Sequence, residues 1–461
     1  MKIRWVAPCI HRALLFALLS IFFSTIALFA SPQPDTGESL AKEYTMGKKY
    51  HDRVALIETG EEGARIRLDL VETAQTSVDI AYYTLTRGRF TDAFLSCLLA
   101  AADRGVHIRI LGDGLTSIAY ERKELKEALR GFETHPNIEV RQYEKFSLLR
   151  PWAWQGRLHE KLIIVDGKLA LIGGRNIGDK YFLKEEYQQR FVHDREALVY
   201  NEGAQTSVIG DMQLYFDQVW RYKHTKAQRR TLTPEQGERF NQRLREHYGR
   251  IKGEKPELFQ GSDWNQRTYP SESTRFVHNP LGRGKKEPWC LATLLQFASR
   301  SRSSIFIQSP YIIPTKSMQT LARQYDIDMA LVTILTNAKR ASPNPIAMAG
   351  YYNHRKAIVD KVAQVHEYQG PGSIHSKSYI IDDSISFIGT FNLDSRSSYI
   401  NTESMLIIEC ERFAAELQDE IQVYMARSIQ VCDDYTYGEV AQDSKPLWLF
   451  SKFVGLFEYY L

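Results

Sequence analysis

What the chain lacks narrows its chemistry before any motif is found. Cysteine is sparse: Cys9, Cys97, Cys290, Cys410 and Cys432 make five in 461 residues, and no two form a Cys-x-x-Cys pair. Zinc sites built on that spacing are excluded. With no other cluster of metal-ligand residues in view, neither a metal nor another cofactor is expected. Cys97 and Cys410 lie in apolar runs, as core thiols do. A Cys290–Cys432 disulfide is open to a chain outside the cytoplasm, though nothing in the sequence requires it. An excess of charge of one sign is missing too. The formal net charge is +4, and Lys2, Arg4 and Arg12 supply three of those charges in a leader without acidic residues, which leaves +1 for the rest. That balance argues against nucleic acid as a partner, which calls for a strongly basic chain. The bias of a disordered chain is also absent: 43% of residues are hydrophobic and 25% charged, enough for two domains with a core each.

Of what is present, the first thirty residues stand apart. After the positive start, Ala13 to Ala30 is uncharged and mostly apolar, and Ser31-Pro32 breaks the run. Residues 1–30 are expected to act as a signal peptide or an uncleaved membrane anchor, with a buried helix as the competing reading. Positive residues on the inner side send the remainder out of the cytoplasm.

The body repeats itself. The alternating run Val78 to Thr84, a helical pattern from Phe90 to Ala102 and the run Val106 to Leu111 have counterparts in Ser304 to Tyr311, Lys316 to Gln324 and Met329 to Thr336. Strands alternating with helices predict an α/β fold: two pseudo-symmetric halves, each a mixed sheet flanked by helices. The halves span residues 50–220 and 288–430. Between them, 221–287 is rich in Lys, Arg, Gly and Pro. It is expected to be a solvated linker, or else a basic surface for anionic lipid. Thr233-Pro-Glu-Gln236 is a capping box with proline at the first helical position, and predicts a helix ending near Gly249. Residues 446–461 form an apolar, aromatic tail, either interfacial or docked on the body.

The closing segments of the two halves match best. His159-Glu-Lys-Leu-Ile-Ile-Val-Asp166 leads to Gly173 and Asn176, and His375-Ser-Lys-Ser-Tyr-Ile-Ile-Asp382 leads to Gly389 and Asn392. Relative to each histidine, Lys is at +2, Asp at +7, Gly at +14 and Asn at +17. A lone copy is a weak signal, but two with the same downstream Gly and Asn are specific. Residues two apart on a strand share a face, so His159 projects with Lys161 and His375 with Lys377. Brought together, the halves surround one point with two imidazoles and two ammonium groups. That suits a phosphodiester: the lysines neutralise charge at phosphorus, one histidine attacks, and the other serves as acid and then base. Asn176 and Asn392 are candidate phosphate donors. Glu196 and Glu403, each at the head of an apolar strand, are expected to hydrogen-bond the outer nitrogen of a histidine and fix its tautomer. Asp166 and Asp382 belong to the motif and are candidate catalytic residues by position. Asp166-Gly167 between apolar runs, however, is also a strong hairpin turn, which favours a structural role.

At these residues the sequence resembles the phospholipase D superfamily and, within it, the bacterial cardiolipin synthases of the third type. The resemblance runs over about residues 50–430, and its most specific pieces are Ile172 to Phe182 and Ile388 to Glu403. It implies a phosphatidyl-histidine intermediate and transfer of a phosphatidyl group to the hydroxyl of a second phospholipid. Carried over residue by residue, it puts His159, Lys161, His375 and Lys377 at the catalytic positions, with Asn176, Asn392, Glu403 and, less securely, Glu196 in support. The implied partners are phospholipids, phosphatidylglycerol and also phosphatidylethanolamine, and a membrane surface. The implied location is the bacterial inner membrane with the catalytic body outside the cytoplasm, or the periplasm or medium if the leader is cleaved. Hydrolysis to phosphatidic acid is the principal alternative, since water and a lipid alcohol compete for one intermediate. A nuclease is disfavoured by the near-neutral charge, and a non-catalytic relic by the presence of all four His and Lys residues. Trp152 and Trp154, just ahead of His159, are placed to line the mouth of a lipid cleft or to pack in the body.

Overall fold

A computed structural model of the protein describes residues 48–116, 129–145, 147, 154–202, 206–227, 232–342, 344–432 and 435. The leader, Trp152 and the 446–461 tail lie outside the described residues. The first half contributes β1 (Arg53–Ile57), β2 (Ser77–Tyr82), β3 (His107–Asp113), β4 (Ile138–Tyr143), β5 (Lys161–Val165), β6 (Leu169–Gly173), β7 (Val192–His193), β8 (Glu196–Tyr200), β9 (Thr225–Ala227) and β10 (Tyr269–Pro270). The second contributes β11 (Ser273–His278), β12 (Ile305–Gln308), β13 (Val332–Asn337), β14 (Gln364–Tyr368), β15 (Ser373–Ile374), β16 (Ser378–Ile381), β17 (Ile385–Gly389), β18 (Ser404–Glu409) and β19 (Ser428–Gln430). The main helices are α1 (Gly60–Thr73), α2 (Arg89–Asp103), α3 (Val208–Arg221), α4 (Pro234–Glu254), α5 (Trp289–Ala298), α6 (Pro345–Val359) and α7 (Glu411–Met425).

The repeat in the sequence is a repeat in the sheets. One sheet runs β10-β1-β8-β6-β5-β2-β3-β4-β9 and the other β11-β18-β17-β16-β12-β13-β14-β19. The six-strand cores β8-β6-β5-β2-β3-β4 and β18-β17-β16-β12-β13-β14 have the same order. In each, the two pairs beyond the histidine-bearing hairpin are parallel and the others antiparallel. The expected α/β class with two mixed, helix-flanked sheets is what forms. Within 221–287, β10 joins the first sheet and β11 pairs with β18 of the second, so much of this stretch is built into the body.

Why the central strands read as unbroken apolar runs follows from the layers. On β5, Leu162 and Ile164 enter the core between the two sheets, while Ile163 and Val165 enter the core beneath α1 and α2. On β18, Leu406 and Ile408 face the shared core, and Met405 and Ile407 face the core under α5. Both faces are buried, so alternation disappears from the sequence. Each fully buried Leu or Ile contributes about 1.5–3 kcal/mol, so the shared core holds the two sheets together. The capping box at Thr233 forms as expected, with Gln236 Oε1 accepting from the Thr233 N–H at 3.0 Å. The helix continues past Gly249 to Glu254: Leu244 and Tyr248 pack on the first-half core before the glycine, and Lys252 beyond it donates to Glu72 of α1 at 2.6 Å. That packing offsets the ~1 kcal/mol penalty of an interior glycine.

Cys97, Cys290 and Cys410 are buried free thiols. Cys290 lies under the site, 3.7 Å from the Glu403 carbonyl, and Cys432 is a free thiol at the surface. The Cys290–Cys432 pairing left open by the sequence is not formed.

Candidate active site

Each histidine sits just ahead of its hairpin strand, at a point where the two halves exchange backbone contacts. Leu158 bridges Thr402 in parallel, and β15 pairs with β7 through Ser373–Val192 and Ile374–His193. The His159 N–H donates to the Thr402 hydroxyl at 3.1 Å, and the His375 N–H to the His193 carbonyl at 2.7 Å. In both cases the residue after the bridge on the opposite half is a carboxylate. His159 Nδ1 is 2.9 Å from Glu403 Oε2, and His375 Nδ1 is 2.6 Å from Asp194 Oδ2. The halves are interlocked: each supplies the acid that orients the other's imidazole.

This geometry corrects one expectation. Glu196 meets neither histidine. It is buried between two arginines, accepting from Arg67 Nη1 at 2.9 Å and Arg175 Nε at 3.2 Å. The strand register explains the error. Gly173 pairs with Glu196 and Gly389 with Met405, so the counterpart of Glu403 is two residues upstream of Glu196, at Asp194. Eighteen residues separate Asn176 from Asp194, but only 11 separate Asn392 from Glu403, which hides the equivalence. Matching the buried runs Ala197-Leu-Val and Leu406-Ile-Ile by face would have found it.

The +14 glycines have a plain cause. A Cβ at Gly173 would stand 2.3 Å from the Arg195 carbonyl, and one at Gly389 2.2 Å from that of Ser404. Those contacts hold the carboxylate-bearing segments against the histidine hairpins. Asp194 is braced by Arg175, which donates to its carbonyl and also to the Tyr181 carbonyl at 2.8 Å. Glu403 is braced by the Thr390 hydroxyl at 2.6 Å. Asp113 accepts from the Leu158 N–H at 3.0 Å and from Arg157 at 3.3 Å, fixing the approach to His159. Arg175, Asp113 and Asp194 carry no signal in the motif and were missed by sequence reasoning.

Lys161 and Lys377 are fully buried. Lys161 Nζ donates to the His159 carbonyl at 2.6 Å, and Lys377 Nζ to that of His375. Burial, reinforced by the other lysine's charge, brings Lys161 down to about 7, and burial brings Lys377 down to about 8. Burial and the same two lysines push His159 well below 6.5, and burial with Lys377 takes His375 to about 3. Both imidazoles are therefore neutral, each with Nδ1 at its carboxylate, and His375 Nδ1 also lies 2.9 Å from Lys377 Nζ; neither Nε2 has a hydrogen-bond partner among the described residues. The carboxylates differ. Burial pushes Asp194 up, but His375, Lys377 and Arg175 outweigh it and hold it at about 2. For Glu403 burial prevails over Lys161 and its hydroxyl donors, and it rises to about 7.

Asn176 Nδ2 donates to the Tyr181 hydroxyl at 3.1 Å, and Asn392 Nδ2 to the Ser397 hydroxyl at 3.3 Å. Both Oδ1 atoms are buried without a partner among the described residues. Since each partner is a hydroxyl that can also donate, either amide can turn over and offer its NH₂ instead. Asp166 and Asp382 lie at the far end of their strands, both with positive φ. Asp166 accepts from the N–H groups of Gln75, Thr76 and Ser77, and Asp382 from those of Arg302, Ser303 and Ser304. They tie turns together and do not reach the histidines, so the catalytic role suggested by their motif position is corrected to a structural one. Trp154 is partly buried, its indole N–H donating to the Ser147 carbonyl at 2.9 Å.

Comparison with known proteins agrees with this construction. A family model described as a cardiolipin synthase, phospholipase D-like domain matches residues 68–220 and 294–425, the two halves just described. Cardiolipin synthase C of Escherichia coli K12 is 27% identical over 76% of this chain and 79% of its own length. Cardiolipin synthase A of Pectobacterium carotovorum is 25% identical over 82% and 70%. Among solved structures, phosphatidylserine synthase of Haemophilus influenzae covers 92% of this chain and all of its own, with a TM-score of 0.66 at 13% identity, a likeness of fold.

Proposed function

The chain belongs to the phospholipase D-like, cardiolipin synthase domain family, and from that premise we propose that it is a phospholipid phosphatidyltransferase working through a phosphatidyl-histidine intermediate. The observation that carries the reading is the pair of His–Lys sets, each histidine held by a carboxylate from the opposite half. His159 is the nucleophile. Its Nε2 attacks phosphorus, the bond from phosphorus to the head-group oxygen breaks, and His375, which takes up a proton at Nε2 once the anionic phosphodiester offsets the charge of the two lysines, delivers that proton to the oxygen. In the second step His375 takes the proton of the incoming hydroxyl, the new oxygen–phosphorus bond forms, and the nitrogen–phosphorus bond breaks, restoring His159. Two differences support this assignment. Asp194 stays ionised and can sustain an imidazolium on His375, as a general acid requires. The His375 side chain is also the more open, 20% exposed against 11% for His159, as suits the group that meets leaving alcohol and acceptor. Lys161, Lys377 and the turned amides of Asn176 and Asn392 hold the non-bridging oxygens.

The donor and acceptor are phospholipids, with phosphatidylglycerol as acceptor. No described helix is long and apolar enough to cross a membrane. Attachment to the bacterial inner membrane, with the body on its outer side, is assigned to the leader. The test is a product assay with purified protein beside a His159→Ala/His375→Ala double variant, supplied with phosphatidylglycerol in detergent micelles, alone and with phosphatidylethanolamine. Cardiolipin from the wild type alone supports transfer. Phosphatidic acid without cardiolipin makes the protein a hydrolase.

A further inference from the structure

The repeat that places the histidines continues past the asparagines. Lys180 stands at +21 from His159 and Arg396 at +21 from His375. They lie on the short helical turns Asp179–Tyr181 and Ser395–Tyr399. Each half thus carries one further cation just past its asparagine, and the phosphohistidine chemistry uses neither.

Their surroundings differ. Arg396 donates to the Gln155 carbonyl at 3.2 Å and lies beside the buried carboxylate of Asp394. Lys180 is half-buried, yet no hydrogen-bond acceptor or carboxylate reaches it among the described residues. Of the acids nearby in sequence, Glu185 is exposed and does not reach Lys180 among the described residues, and the other two are engaged elsewhere. Asp179 accepts from the N–H groups of Arg89 and Phe90, and Glu186 pairs with Arg89. The Lys180 ammonium lies 5.1 Å from the centroid of the Tyr181 ring. That ring stands edge-on to His375, 6.2 Å between centroids, and its hydroxyl is tied to Asn176. A lysine withdrawn from water without a counter-ion is disfavoured unless a ligand brings one. Burial alone already lowers its proton affinity in the empty protein.

We infer that Lys180 is the anion subsite for the acceptor: it binds the phosphate that the acceptor lipid already carries, one aromatic ring away from the histidine that activates the acceptor hydroxyl. The inference rests on the phosphatidyl-transfer reading and on His375 serving the acceptor. On this inference the acceptor is an alcohol bearing its own phosphodiester, and the product carries two phosphates joined by the acceptor's backbone. A neutral alcohol forms the same oxygen–phosphorus bond but makes no use of Lys180.

The experiment compares three acceptors against one phosphatidyl donor: glycerol, free glycerol phosphate, and phosphatidylglycerol in micelles. In Lys180→Gln, the ratio of phosphate-bearing product to glycerol product should fall about tenfold, the loss of one charge-assisted contact. Lys180→Arg should restore most of it, and the exposed neighbour Lys184→Gln should leave it unchanged. Loss with phosphatidylglycerol but not with free glycerol phosphate identifies a headgroup phosphate fixed by the lipid; loss with both identifies a general phosphate subsite. A ratio unchanged in Lys180→Gln overturns the inference, as does an equal fall for all three acceptors. If the wild type gives only phosphatidic acid, the transfer reading fails by itself. Lys180 is then judged by inhibition of that hydrolysis by glycerol phosphate: about tenfold weaker in Lys180→Gln supports the subsite, and equal inhibition overturns it.

Discussion

His159 and Glu403 are 244 residues apart in the chain and 2.9 Å apart in the site. The contact crosses the pseudo-twofold axis, as does its counterpart between His375 and Asp194. Neither half can orient its own imidazole. Asp194→Asn should reduce kcat by about 10³–10⁴-fold, the effect of giving a catalytic histidine the wrong tautomer. Glu403→Gln should cost less, about 10²-fold, because burial has already raised that carboxyl to about 7. Steady-state rates on one phospholipid decide it, and equal losses would contradict the inequality of the two acids.

The division of labour can be read with an activated substrate. A phosphodiester with a p-nitrophenolate leaving group needs no proton from a general acid. With it, His375→Ala should still release one equivalent of nitrophenolate and retain a covalent adduct on His159, visible by intact mass. An adduct on His375 in the His159→Ala protein would reverse the assignment.

The pH profile of kcat/KM reports the free enzyme. Glu403 acts ionised, so activity should rise as pH climbs through about 7, and the lysines act charged, so it should fall as pH passes about 7 to 8. A narrow optimum near neutrality is expected. Glu403→Gln should flatten the acid limb and leave the alkaline one, and persistence of both limbs would speak against Glu403 as its source.

The same lysines couple pH to stability. Unfolded, each holds its proton up to about the ordinary 10.5; folded and empty, they release it above about 7 and 8. Between those values and 10.5 the unfolded chain binds more protons, so these two groups make stability rise with pH. An anion in the site keeps them charged. Added inorganic phosphate should therefore raise Tm most at pH 7 and least at pH 9, a trend that a Lys161→Met/Lys377→Met protein should lose.

Glu196 predicts a different phenotype from Glu403. Its removal leaves Arg67 and Arg175 buried without their shared counter-ion, at a cost of about 3–5 kcal/mol. Glu196→Ala should thus lower the denaturation midpoint sharply. Asp382→Ala should lose about 1–2 kcal/mol through its turn and keep most of its kcat at a temperature where it stays folded. A large kcat defect in a stable Asp382→Ala protein would return that residue to the site.

Much of this protein was determined locally. The +2 spacing, the +14 glycine and the apolar runs of β5, β6, β16, β17 and β18 each reflect contacts made within a hairpin or across adjoining strands, so they leave a repeat that the chain displays twice. From that repeat the α/β halves, the two His–Lys pairs and the turn-forming habit of Asp166 were legible. Which acid serves which histidine was decided only in three dimensions. Glu196 and Glu403 look alike in sequence because each heads a strand, but strand register makes Asp194, not Glu196, the counterpart of Glu403. Arg67 and Arg175 then claim Glu196 for the core. The physical reason is one of range: spacing along the chain fixes neighbours over a few residues, whereas a contact across two sheets depends on how their buried faces stack.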